Sequence, residues 1–193
     1  MPKLCLYLVI CTFRREEFVL RNLRGMHQAG VLGKDIEVLV VDNSGDGNLS
    51  VKIGEMEHVR VIPQQNFGGA GGFTRGIYEV ARNHAPASTA NSEDRPEPYI
   101  LLMDDDIEFE PEVIRRTLSL LEKSDGRTCI SGQLFNIHPP HELFEAGATF
   151  GERKPFDWKV LLEAASSDDL SQWDKHSENH PIDYGGWWYF CFP

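Results

Sequence analysis

Four short apolar runs, residues 4–10, 36–41, 59–62 and 99–103, alternate with segments of helical spacing, and no other feature of the sequence constrains the fold as much. Uninterrupted apolar strands are those buried on both faces, as in a parallel sheet. Apolar positions repeating every three or four residues mark the helices that cover such a sheet. Residues 15–28 carry Val19, Leu20, Leu23 and Met26 on one stripe, with Gly30 just past the end. A second helix opens on the glycine run at 68–72 and carries Phe73, Ile77, Tyr78 and Val80. A third starts at Pro111, with Val113, Ile114, Thr117, Leu118 and Leu121 on one face. Residues 129–133 read as a further strand, and residues 85–98, rich in Pro, Ser, Ala and Glu, as an exposed loop. The expected class is therefore α/β, a mostly parallel sheet flanked by helices. After Gly151 the periodicity dissolves into charged and aromatic residues, among them Trp158, Trp173, His176 and His180.

A chain of 193 residues is sufficient for one domain with a sizeable core, and 41% hydrophobic with 25% charged residues is ordinary for a globular protein. Its net charge of -11 excludes a nucleic-acid binder, which needs a basic face for the phosphates. Cys5 and Cys11 share one strand, about 20 Å apart at ~3.3 Å per residue, so they cannot bridge. Cys129 and Cys191 sit among apolar residues and no Cys-x-x-Cys occurs, so reduced, buried thiols are expected. The opening apolar run is followed by Thr12-Phe-Arg-Arg15 instead of small residues, which favours a first strand over a signal peptide. No run approaches the ~20 residues of a membrane span. A cytoplasmic location follows, with peripheral contact at the inner face of a membrane left open.

Asp104-Asp105-Asp106 ends the apolar run 99–103. In an open parallel sheet ligands bind beyond the carboxyl ends of the strands, where these side chains emerge. Strand alternation puts Asp104 and Asp106 on one side and Asp105 on the other. Carboxylates facing one way repel unless a cation joins them, and hard divalent ions take such oxygen ligands. A solvated acidic turn, with Asp106 capping the helix near Pro111, is the bland alternative. Asp42 stands likewise at the end of the second run, where an Asx-turn into Ser44-Gly45 would also explain it. The ends of the first, second and fourth runs, Thr12-Phe13-Arg14, Asp42-Asn43 and the aspartates, converge on one edge. Gly68, Gly69, Gly71 and Gly72 permit close backbone approach to a ligand or another element, without matching a dinucleotide or Walker fingerprint. Arg75, one helical turn on, could pair with Asp42, an aspartate of the triplet or a phosphate. Trp187-Trp188 offers aromatic faces suited to sugar rings, with one ring in the core and one exposed if the pair lies on a strand. His138, His141, His176 and His180 lack helical zinc spacing.

Cys11-Thr-Phe-Arg14, Asn66-Phe-Gly-Gly-Ala-Gly-Gly-Phe-Thr-Arg75, Met103-Asp-Asp-Asp-Ile107 and Asp183-Tyr-Gly-Gly-Trp-Trp188 together resemble glycosyltransferase family 2, specifically its galactan-building galactofuranosyltransferases. The resemblance covers nearly the whole chain and implies a GT-A fold over residues 1–193. It implies that Thr12, Arg14, Asp42 and Asn66 surround a UDP-sugar, and that Asp104 and Asp106 hold Mn²⁺ or Mg²⁺ against the diphosphate. It implies that Trp187 and Trp188 border a glycan acceptor, lipid-linked or not, and that transfer inverts the anomeric centre. The catalytic base and a metal-ligating histidine of the family fall beyond Pro193, so the chain reads as the N-terminal portion of a longer enzyme; Asp183, Glu145 and His138 are candidates by residue type alone. A sugar nucleotidyltransferase would carry a glycine-rich basic loop where Thr12-Phe-Arg-Arg15 stands. A dTDP-rhamnose-dependent rhamnosyltransferase shares Asn-x-Gly-Gly-x-Gly-Gly, and a non-catalytic nucleotide-sugar-binding fragment is the alternative of another class.

Overall fold

A computed structural model describes residues 4–84, 97–124, 126–139, 142–150, 158–160 and 182–193. In chain order the elements are β1 (Leu4–Thr12), α1 (Glu16–Gln28), β2 (Ile36–Asp42), α2 (Asn48–Ile53), β3 (Val59–Pro63), α3 (Gly68–His84), β4 (Glu97–Asp104) and α4 (Glu112–Leu121). They are followed by β5 (Ile130–Ser131), β6 (Leu134–Phe135), β7 (Leu143–Glu145), β8 (Ala148–Phe150), β9 (Trp158–Val160) and β10 (Tyr189–Phe192). Contacts divide the chain into one unit of residues 1–129 with 191–193 and another of residues 130–190.

The first unit is the expected α/β sheet. β3, β2, β1 and β4 lie in that order, and every neighbouring pair is parallel. The register sets Thr12 beside Asp42 and Cys11 beside Asp104, so three strands end level with one another. One face buries Val9, Leu39, Val41, Ile100 and Leu102 against Phe73 and Val80 of α3, with Ile62 completing the cluster. Alternation sends Leu6, Leu8 and Ile10 to the other face, and all three are fully buried. Each such side chain contributes about 1.5–3 kcal/mol by leaving water. α1 turns Val19, Leu20, Leu23 and Met26 inward, as the stripe predicts.

Several expectations are corrected. The loop expected over 85–98 lies largely outside the described residues, but Glu97 and Pro98 belong to β4, opposite Leu4 and Cys5. Pro98 is tolerated because it stands at the start of the strand. The strand expected over 129–133 shrinks to Ile130–Ser131, and Cys129 is exposed instead of buried. α2 has no counterpart in the sequence reading; with only Leu49 buried, its six residues carry too little periodicity to register. Trp173, His141, His176 and His180 lie outside the described residues.

The second unit contains two antiparallel pairs, β6 with β7 and β8 with β9. Tyr184 bridges to Ala148, and Gly132 N donates to Tyr189 O at 2.8 Å. No described helix is long and apolar enough to cross a membrane.

Candidate functional site

The carboxyl edge of β1, β2 and β4 borders a cavity of about 330 Å³ lined by Cys11, Thr12, Phe13, Arg15, Asn43, Asn66, Gly68, Gly69 and Asp105. The volume lies at the lower end of small-ligand sites. Its frame is a chain of polar contacts centred on the buried Asn43. Asn43 is 2% exposed, and its Nδ2 donates to Gly68 O at 3.1 Å and lies 3.3 Å from Cys11 Sγ. Its Oδ1 accepts from Gln64 Nε2 at 2.7 Å. One amide therefore ties the ends of β1 and β2 to the start of α3. Asn66 Oδ1 accepts from Gly68 N at 2.9 Å, an Asx-turn that presents the first turn of α3 to the cavity. Gly68 has φ +69°, which a side chain would strain.

The acidic corner differs from a regular alternation. β4 stops at Asp104, and residues 105–106 form a turn whose carbonyls are held by α1. Asn22 Nδ2 donates to Asp105 O at 3.2 Å and to Ile107 O at 3.1 Å. Strand periodicity no longer applies there, so Asp105 and Asp106 do not diverge. Both reach Arg15, Asp105 at 3.4 Å and Asp106 more closely. Asp105 is buried and accepts a 2.7 Å hydrogen bond from Thr12 Oγ1, whereas Asp106 is exposed. The bland alternative for Asp106, a helix cap, is not what forms; Pro111 occupies the N-cap of α4 without a side-chain hydrogen bond.

Electrostatics reflect the crowding. Burial first, then Asp106 and Asp105, push the Asp104 carboxyl above its ordinary value of 3.8, with Arg15 opposing. A raised native value means the folded state holds its proton longer than the unfolded chain, so ionising Asp104 costs stability as pH rises through that window. Asp104→Asn should therefore raise the melting temperature near neutral pH, and the gain should vanish once pH falls to about 3.8, where Asp104 protonates itself. A gain independent of pH would point to packing instead. Burial, followed by Asp105 and Asp104, lifts the Cys11 thiol to about 11, which disfavours its thiolate form at neutral pH.

The structure brings the sequence-derived residues together unevenly. Thr12 and Asn66 line the cavity. Asp42 is 2% exposed at the end of β2; its Oδ1 accepts from Ser44 N at 2.9 Å, the Asx-turn, but its buried Oδ2 has no hydrogen-bond partner. Arg14, at φ 57°, lays its guanidinium 5.2 Å from the Phe13 ring centroid outside the lining set, and its neighbour Arg15 lines the cavity. Of the partners weighed for Arg75, neither Asp42 nor the aspartate turn is the one it takes: its Nε donates to Glu79 Oε1 at 3.0 Å, the carboxylate one turn along the same helix. Gln64 and Arg15 escaped the sequence reading as site residues, whereas Phe13 and Asn43 entered it only as members of the converging strand ends. The Asn following Asp42 was the available signal for Asn43; Gln64 is marked only by following a strand end.

In the second unit the tryptophans divide. Trp188 Nε1 donates to Gly132 O at 3.0 Å, and its ring covers Gly186, where a Cβ would come within 2.0 Å. Trp187 is 43% exposed. Of the acid and base candidates, Glu145 is raised by burial and Asp183 and His138 are exposed. Among the described residues no three His, Cys, Asp or Glu side chains are arranged to hold a metal ion.

The cavity lies at the carboxyl edge of a parallel sheet, where open α/β folds bind their ligands. The chain belongs to glycosyltransferase family 2, whose family model matches residues 7–160. It is 25% identical over 202 residues to galactofuranosyltransferase GlfT2 of Mycobacterium tuberculosis, covering 95% of this chain and 30% of that protein. It is 26% identical over 203 residues to galactofuranosyltransferase GlfT2 of Mycolicibacterium smegmatis, with 95% and 29% covered. The chain thus spans less than a third of the length of these curated relatives. A mannosyltransferase from Pyrobaculum calidifontis, solved with GDP-Man and Mn²⁺, superposes with a TM-score of 0.49 at 14% identity, over 70% of this chain and 38% of the other.

Proposed function

We propose that the cavity binds the nucleoside diphosphate of a sugar donor, UDP-galactofuranose, for inverting transfer to a glycan acceptor. The observation that carries the reading is the cavity itself, placed where three parallel strands end level and edged by the aspartate turn. The galactofuranosyltransferase relatives support the choice of sugar. Thr12, Asn43, Asn66 and the amides that open α3 present donors and acceptors to a nucleotide. Asp42, with one buried oxygen unpartnered, is suited to accept from an N–H or a hydroxyl of the nucleoside.

The donor set at 104–106 suits a hard cation by chemistry, since all its ligating atoms are carboxylate oxygens. Asp104 and Asp106 would hold Mn²⁺ or Mg²⁺ in company with diphosphate oxygens, as an ion with one or two protein carboxylates requires. When bound, such an ion neutralises charge developing on the leaving diphosphate. Thr12 meanwhile fixes Asp105 through its hydroxyl, and Arg15 is positioned beside the same turn. Trp187 offers an exposed ring to an acceptor sugar.

Asn66→Ala and Asp42→Ala should each weaken UDP binding by about 1–3 kcal/mol, the effect of stranding a buried polar partner. Calorimetry alongside thermal melts separates the cases: unchanged affinity with reduced apo stability would leave both as turn residues and remove them from the donor site. Transfer from UDP-galactofuranose, compared with dTDP-rhamnose, tests the sugar.

A further inference from the structure

Away from the residues lining the cavity, four charged side chains converge on α3 and β3. Glu79 is 2% exposed, a depth that an ionised carboxylate occupies only when paired. It accepts from Arg75 Nε at 3.0 Å, Arg82 Nη2 at 2.9 Å and Arg60 Nη2 at 3.4 Å. One arginine would neutralise it. The four side chains alone sum to +2, in a chain whose net charge is -11, with Glu37 of β2 the further carboxylate on that side of the sheet. The three guanidiniums are about half exposed, at 47%, 43% and 56%.

This is more than a surface ion pair repeated. Arg75 and Arg82 leave the same helix four residues before and three after Glu79, and Arg60 comes from β3, so a single carboxylate spaces guanidiniums from two elements. Arg82 also rests 6.0 Å from the centroid of the Tyr78 ring, which restricts its swing. Each guanidinium has five N–H donors in a rigid plane and commits one to Glu79. Like charges gathered this closely repel, and an anion on the outer side relieves them. Tetrahedral oxyanions match that fork geometry, and Arg is the residue that binds them bidentately.

We propose that Arg60, Arg75 and Arg82 form a phosphate-binding site distinct from the donor cavity, with Glu79 as the buried post that spaces them. The ligand is a phosphate ester, carried either by a soluble molecule or by a lipid headgroup. The full chain is titrated with inorganic phosphate at low salt and, separately, sedimented with vesicles containing phosphatidylglycerol or phosphatidylcholine alone. Arg60→Gln and Arg82→Gln, at half-exposed positions, should each weaken phosphate binding about tenfold, the loss of one charge-assisted contact. Arg24→Gln on α1, away from both sites, should leave this binding unchanged. Affinity should also fall steeply with added salt. Binding to phosphate but not to anionic vesicles assigns a soluble ester; arginine-dependent sedimentation with phosphatidylglycerol assigns a headgroup. Phosphate and vesicle binding by the Arg60→Gln, Arg82→Gln double variant equal to wild type, with its melt preserved, overturns the proposal. So does binding abolished by Asn66→Ala, which would return the phosphate to the donor cavity.

Discussion

Gly76→Val should lower the unfolding free energy by about 3 kcal/mol, the upper part of the range for overpacking a filled core. A Cβ at Gly76 would lie 2.2 Å from Val9 Cγ1 and 3.2 Å from Val9 Cβ. Val9 cannot yield: it is fully buried, β-branched and held in β1 between β2 and β4. α3 would have to lift from the sheet instead. That movement would carry Gly72, where a Cβ would come within 2.0 Å of Cys11 Sγ and 3.2 Å of Asn43 Nδ2, away from the cavity. UDP affinity should therefore drop together with stability. Gly69→Ala makes the contrast, since a Cβ there meets nothing within 4 Å. It should gain up to about 1 kcal/mol of helix propensity. If it also weakens UDP, that glycine serves ligand approach. Denaturant melts that showed Gly76→Val as stable as wild type would mean α3 does not sit so tightly on β1.

The second large effect separates two adjacent aspartates. Asp105→Ala strands the Thr12 hydroxyl and removes one of the Arg15 partners, at about 1–2 kcal/mol of stability; the Arg15 contribution is discounted because that guanidinium is half exposed. Asp106→Ala should leave the melt within ~0.5 kcal/mol, as exposed positions do. It should instead cancel the strengthening of UDP binding by Mn²⁺, a change of about tenfold or more if a carboxylate ligand is lost. The opposite division, with Asp105→Ala metal-insensitive and Asp106→Ala unfolded, would exchange the roles. Melts and titrations on the two variants decide it.

Most of the parallel sheet was legible because strands buried on both faces leave uninterrupted apolar runs, and the edges of 36–41 and 59–62 were each extended by one residue. The position of the aspartates at the carboxyl end of a strand was legible, but strand alternation was carried too far into them. Alternation is a property of a paired backbone, and pairing stops where Cys11 faces Asp104. What holds Asp105 thereafter is Thr12, 93 residues away, and Arg15, relations that spacing along a chain does not record. Arg75 pairs with Glu79, a carboxylate that was not among the partners weighed for it. A plausible distant partner was weighed, while Glu79, four residues on, was passed over because helical burial of a carboxylate needs Arg60 from another element. The glycines served two purposes that composition cannot separate: Gly68 for its dihedral angle, and Gly72 and Gly76 for close approach to β1.

The central claim, a nucleotide site completed by a divalent ion at the carboxyl edge of this sheet, meets its most direct test in one calorimetric comparison. UDP is titrated into the chain with Mn²⁺ and again with EDTA. The account predicts tighter binding with Mn²⁺ by about tenfold or more, equivalent to 1.4 kcal/mol per factor of ten, and no such difference in Asp106→Ala. Equal affinities in Mn²⁺ and EDTA for the wild-type chain would contradict it.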